Sequence, residues 1–121
     1  MIKMLIVDDE TEICDFLREF FVDRGYDVIT AFSGEEALEK IEDEPPHILL
    51  LDITMPGISG LDVLKSVREN HSGMKVIMVT AVETSDQIDE AFRLGADNYI
   101  TKPLSLEYLE NDVKEKISKL T

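Results

Sequence analysis

Basic side chains are scarce in this chain: 12 Lys and Arg stand against 26 Asp and Glu, a net charge of -14. That balance excludes a domain that grips nucleic-acid backbones by counterion release. Cysteine occurs once, at Cys14, so no internal disulfide can form; a reducing, cytoplasmic setting is expected, with Cys14 simply packed in the interior. Long apolar runs are missing too. The apolar amino-terminal stretch, Met1 to Val7, is broken by Lys3 and stopped by Asp8-Asp9, too short for a signal peptide or membrane span. No low-complexity segment, Gly/Ser linker or zinc-type His/Cys spacing is found.

What remains is the composition of a folded domain. With 44% apolar and 31% charged residues, the 121-residue chain is expected to form one unit, residues 1–121, burying roughly two-thirds of its unfolded surface. Short apolar runs at Lys3 to Val7, Asp27 to Ala31, His47 to Leu51, Lys75 to Val79 and Asn98 to Ile100 predict five strands. Between them lie helical patterns. Ile13, Phe16, Leu17 and Phe20 form one stripe on a helix over about Glu10 to Arg24, ending near Gly25. Ser33 with Glu36, and Thr84 with Gln87, are capping-box patterns opening two more. Leu61, Leu64 and Val67 mark another, and Leu106, Leu109, Val113, Ile117 and Leu120 a last one. Strands as uniformly apolar as Ile48-Leu49-Leu50-Leu51 require cover on both faces, so a doubly wound α/β fold with a parallel sheet follows.

In such sheets ligands bind beyond the carboxyl ends of the strands. Asp8-Asp9 follow the first strand, Asp52 the third, Thr80 the fourth, and Lys102-Pro103 the fifth. If the first and third strands are neighbours, three carboxylates converge, and their repulsion calls for a cation. Mg2+ suits a few carboxylates supplemented by water and phosphate oxygens. A carboxylate is also a nucleophile toward phosphorus when cations and donors offset the transferring charge. Asp52, alone at the end of the central strand, is the candidate nucleophile, with Mg2+, Lys102 and the Thr80 hydroxyl as stabilisers.

Each residue has a plainer reading when taken singly. Asp9 with Glu12 matches a helix cap, Asp52 precedes a Pro56-Gly57 turn, and Thr80, Tyr99 and Lys102 are ordinary surface or half-buried types. His47 and His71 read as surface or packing residues, and Glu35-Glu36 and Glu42-Asp43-Glu44 as a solvated face. The combination decides the matter. Asp8-Asp9, the segment Asp52 to Gly60, Thr80-Ala81, and Tyr99 to Pro103 together resemble the motif set of response-regulator receiver domains of two-component signalling, the chemotaxis-regulator-like type, over essentially the whole chain.

The resemblance implies a five-stranded sheet of order 2-1-3-4-5 flanked by five helices, in the flavodoxin-like manner. It implies phosphoryl transfer to Asp52 from a phosphohistidine of a sensor histidine kinase or of a histidine phosphotransfer protein. Asp9, Asp52 and the Thr54 main-chain carbonyl would ligate Mg2+ directly and Asp8 through water. Lys102 would pair with the phosphoryl group, and the Lys102-Pro103 peptide would be cis. Thr80 would move and Tyr99 rotate, remodelling the face of the fourth helix, fifth strand and fifth helix for a downstream effector or a fused output domain. The domain would be freestanding or the amino-terminal part of a longer regulator, with no nucleic acid or membrane of its own to bind. It would be a phosphoacceptor switch and not an enzyme. Thr54 and Val82, at the positions that set phosphoryl lifetime, offer no acid or amide, which implies slow self-dephosphorylation.

Three other functions are weighed by the same residues. A haloacid-dehalogenase-type phosphatase needs a second Asp where Thr54 stands. A flavodoxin-like electron carrier needs a hydroxyl- and glycine-rich phosphate loop where Asp8-Asp9-Glu10-Thr11 stands. A receiver fold that no longer takes phosphate would not be expected to keep the acids together with Thr80 and Lys102.

Overall fold

The structure is a computed structural model that describes residues 1–82 and 84–120. Five strands, β1 (Lys3–Val7), β2 (Asp27–Ala31), β3 (Ile48–Leu51), β4 (Lys75–Thr80) and β5 (Asn98–Thr101), pair in parallel in the order β2-β1-β3-β4-β5. Helices α1 (Thr11–Val22), α2 (Gly34–Asp43), α3 (Gly60–Asn70) and α4 (Ser85–Arg93) fill the first four crossovers. A last helical segment, α5, follows β5 in three contiguous stretches, α-helical Leu106–Tyr108, π-helical Leu109–Val113 and α-helical Lys114–Ser118.

Alternation along each strand builds two cores. Leu5, Val7, Leu49, Leu51, Val76 and Met78 face Ala37 and Ile41 of α2, Val63, Leu64 and Val67 of α3, and Ala91 of α4. Their neighbours Met4, Ile6, Ile48, Leu50, Ile77 and Val79 face Leu17, Phe20 and Phe21 of α1 and Leu109, Val113 and Ile117 of α5. Because successive side chains point to opposite faces, a strand covered on both sides must be apolar at every position, and all four residues of β3 are buried. Each such side chain contributes about 1.5–3 kcal/mol of burial.

Helix ends follow the signals unevenly. At α2 the Ser33 hydroxyl accepts from Glu36 N at 3.1 Å, while the Glu36 carboxylate reaches back to Phe32 N at 2.7 Å, one residue beyond the Ser33 amide of the expected box. At α4 the Thr84 side chain makes no cap bond; it and Gln87 are exposed. The reciprocal capping box instead opens α3, between Ser59 and Asp62, with Asp in the place where the pattern calls for Glu or Gln. At α1 the N-cap is Glu10 rather than Asp9, again without a side-chain cap.

The wide turn in α5 has a packing reason. Leu109, Val113 and Ile117, each four apart, drift about 40° per step around an ideal α-helix. One π turn takes up part of that drift and keeps all three in the core, while Leu106, ahead of it, stays exposed. His47 is exposed and accepts from Lys3 N through Nδ1 at 2.9 Å at the strand start; His71 Nε2 lies 3.2 Å from Glu42. Cys14 is buried, its thiol 3.3 Å from the Asp8 carbonyl and pushed up to about 12, chiefly by burial.

Arg68 of α3 ties down the far end of α4. Its guanidinium donates to Gly95 O at 2.9 Å, to Met74 O at 2.5 Å and to Asp97 Oδ2 at 2.8 Å, and that same oxygen accepts from Val76 N at 2.8 Å. Truncating it leaves these three oxygens, and Ser72 O at 3.3 Å, short of a charged donor. Arg68→Met is expected to lower unfolding free energy by about 2 kcal/mol, read as a fall in urea midpoint; an unchanged midpoint counts against the clamp.

Candidate functional site

The register of β1 on β3 sets Val7 beside Leu51, so the next residues, Asp8 and Asp52, leave the sheet together. Asp52 N donates to Val7 O at 3.0 Å and Asp8 N to Ala31 O at 3.1 Å, extending the ladder by one rung. Both carboxylates are held in the protein, Asp8 only 2% and Asp52 only 4% exposed. Thr80, the last residue of β4, is buried at the same rim, and Lys102 follows β5, where its amide donates to Thr80 O at 3.0 Å before a cis Lys102-Pro103 peptide. Gly60, the first residue of α3, is required beside Asp52: a Cβ there would lie 1.9 Å from the Asp52 carbonyl oxygen.

Lys102 closes the arrangement. Its ammonium lies 2.6 Å from Asp8 Oδ2, 3.3 Å from Asp52 Oδ2 and 3.3 Å from Glu10 Oε1, with its side chain only 9% exposed. The remaining oxygens find backbone donors: Asp8 Oδ1 accepts from Glu10 N at 2.9 Å and Asp52 Oδ1 from Thr54 N at 3.3 Å. Burial works against the Lys102 charge, but the hydrogen bond to Asp8 and the fields of Asp52 and Asp8 outweigh it and hold its pKa above the ordinary lysine value. Asp8 is pushed up, first by burial and also by Asp52, with Lys102 and the Glu10 amide opposing. The two directions agree in sense: a rim with more carboxylates than ammoniums holds on to protons, or to any cation that replaces them.

Asp9 is exposed, and one oxygen each of Asp8, Asp9 and Glu10 lies within 4.8 Å of the others. These are hard oxygen donors with no imidazole or thiolate among them, the donor set that Mg2+ accepts. The expected metal set was Asp8, Asp9, Asp52 and the Thr54 carbonyl. Asp9, Asp52 and Thr54 line one recess with Glu10, Thr80, Ala81 and Lys102; the three acids whose oxygens all lie within 4.8 Å of one another are Asp8, Asp9 and Glu10, while Lys102 engages Asp8, Asp52 and Glu10. Glu10 was missed as a site residue because nothing in its local pattern marks it; its contact is with a residue ninety-two positions away.

Tyr99 stands outside the recess. Its hydroxyl donates to the Val82 carbonyl and its ring lies 6.4 Å from that of Phe92 on α4, centroid to centroid. The Val82 amide in turn donates to Thr80 Oγ1 at 3.3 Å. One peptide segment thus links the buried hydroxyl at the recess to the aromatic side chain behind it.

The model of the response regulator receiver domain matches residues 4–114. The chain belongs to this family. A curated relative of the receiver domain is the alkaline phosphatase synthesis transcriptional regulatory protein PhoP of Bacillus subtilis, 40% identical over 112 residues. The match takes in 93% of this chain and 47% of PhoP, so the receiver domain spans about half the length of that relative. Among solved structures, a CheY-like receiver domain of Methanospirillum hungatei superposes with a TM-score of 0.90 at 35% identity, covering 99% of this chain and 96% of that one. The response regulator TrrA of Thermotoga maritima, solved in complex with Mg2+-BeF, superposes with a TM-score of 0.87 at 38% identity over 100% of both chains. The expected fold, including strand order 2-1-3-4-5, is therefore the fold of this receiver domain. No helix among the described residues is long and apolar enough to cross a membrane.

The raised pKa of Asp8 carries a stability consequence with a definite sign. An acid that holds its proton more tightly in the folded state costs nothing at a pH below its ordinary value near 3.9 and is increasingly unfavourable as pH rises through the folded pKa. Asp8→Asn, which can still accept from Lys102, is expected to raise the melting temperature at pH 7 in EDTA by a few degrees, about 1 kcal/mol, with the gain narrowing as pH falls towards 4. An equal or lower melting temperature at pH 7 contradicts this account.

Proposed function

We propose that this receiver domain is a phosphorylation switch in which Asp52 accepts a phosphoryl group from the phosphohistidine of a sensor histidine kinase or a histidine phosphotransfer protein. The observation that carries the reading is the setting of Asp52: a buried carboxylate at the end of the central strand, 3.3 Å from a charged lysine, opening on a recess that also holds Thr80 and Asp9. In the transfer a carboxylate oxygen of Asp52 attacks phosphorus in line. The P–N bond to the donor imidazole breaks and its electron pair leaves with the imidazole. Lys102, already charged and positioned, pairs with the arriving phosphoryl oxygens, and the Thr80 hydroxyl donates to another.

The donor set at the rim fits Mg2+, and TrrA, solved with Mg2+-BeF, supports that choice. Asp9, Asp52 and the Thr54 carbonyl would hold the ion directly, with Asp8 acting through water. Bound there, Mg2+ supplies charge neutralisation for the phosphoryl oxygens. As Thr80 turns to the phosphoryl group, it gives up the Val82 amide. The loop held by Tyr99 is then released, and Tyr99 rotates to remodel the face of α4, β5 and α5. That face serves a downstream effector or a fused output domain.

The domain acts as a switch and not as an enzyme. Thr54 and Val82 offer no acid or amide to position an attacking water, so self-dephosphorylation is slow. Cys14, single, buried and unpaired, suits a cytoplasmic protein.

Incubation with acetyl phosphate and Mg2+ is expected to add the mass of one phosphoryl group to the wild type and none to Asp52→Asn; an unchanged wild type, or an equal gain in the variant, overturns the reading. EDTA is expected to abolish the gain. Once the donor is removed, the adduct is expected to persist for minutes or longer, and loss within seconds would refute the lifetime assigned to Thr54 and Val82.

A further inference from the structure

Glu10 occupies the N-cap position of α1, where a side-chain oxygen ordinarily accepts from the first free amides of the helix. It makes no such bond. Its carboxylate instead turns away from its own helix to Lys102, at 3.3 Å, across the mouth of the recess. The Lys102 ammonium has three donor hydrogens and three carboxylates within reach, those of Asp8, Asp52 and Glu10.

We propose that Glu10 is the exchangeable counter-ion of Lys102: it occupies the lysine in the resting pocket and is the contact given up when a phosphoryl group arrives. The inference rests on the phosphoacceptor reading above. A phosphoryl group brings close to two negative charges and three strong acceptor oxygens, so it draws on more of the ammonium than the one contact that Asp52 gives up on modification, and a second carboxylate must yield. Asp8 is the hardest to release, being shortest at 2.6 Å and buried. Asp52 is the residue being modified. Glu10 has the longer contact and a side chain 61% exposed, so water takes over its solvation at little cost. Its charge at the recess mouth also repels an incoming anion, so the same residue sets how readily the pocket is filled.

Glu10 thereby acts as a positioning residue, and it can be separated from a general charge effect. Glu10→Gln removes the charge. Glu10→Asp keeps the charge but, one methylene shorter, withdraws the carboxylate from Lys102. Beryllofluoride, a phosphoryl mimic, is titrated calorimetrically at saturating Mg2+ into the wild type and both variants. Both variants are expected to bind it two- to fivefold more tightly, roughly the strength of a contact with one exposed partner. The 15N resonance of the Lys102 ammonium, recorded without metal or anion, is expected to shift in both variants.

Tighter binding in Glu10→Gln alone, with Glu10→Asp like the wild type, overturns the proposal in favour of simple charge repulsion. Equal binding in all three proteins, or weaker binding in Glu10→Gln, also overturns it. If none binds beryllofluoride and the wild type gains no mass from acetyl phosphate, the phosphoacceptor reading fails and this inference with it.

Discussion

The rim of this sheet is organised by one largely covered ammonium, that of Lys102. Asp8 and Asp52 leave adjacent parallel strands at the same level, and two carboxylates so nearly buried are tolerable only with compensating charge. Lys102 supplies it from the far edge of the sheet, anchored by its amide on Thr80 O. The strand order makes this possible, because β1, β3, β4 and β5 deliver their carboxyl ends in sequence along one edge. The compensation is incomplete, since one ammonium faces three acids, and the rim keeps a net negative charge.

Behind the rim, rigidity is uneven. Every residue of β3 is buried, whereas α4 buries only Ala91 of its nine residues. The ends of α4 are held by polar contacts: Arg68 and Asp97 at the turn after it, and the Thr80–Val82–Tyr99 chain at the loop before it. A helix attached chiefly at its ends can shift without tearing a packed core, which suits a surface that changes with the state of the pocket.

Much of this was legible in the chain, and the failures have physical causes. The apolar runs located every strand to within a residue or two, most cleanly at β3, where burial on both faces leaves no polar position to blur the pattern; the edge strands β2 and β5 keep polar residues. Caps were less legible. Ser33 caps its helix, yet Thr84 does not, because at an exposed helix start solvent competes with the side chain, and the working box at Ser59 uses the shorter Asp62. The π turn of α5 was hidden because periodicity reports which residues face inward and not how a helix adjusts to keep them there.

The sequence by itself determined the residue types at the strand ends, the two-faced burial of the sheet and, through their joint spacing, the receiver family. Those properties are local or periodic, so they survive in one dimension. Tertiary structure decided which acid answers which cation. Lys102 could be read as a partner for a phosphoryl group, but its claim on Asp8, and the capture of Glu10 from the cap of its own helix, exist only once β1 and β5 share a rim. Charge pairing across some ninety residues depends on distances that no pattern along the chain encodes.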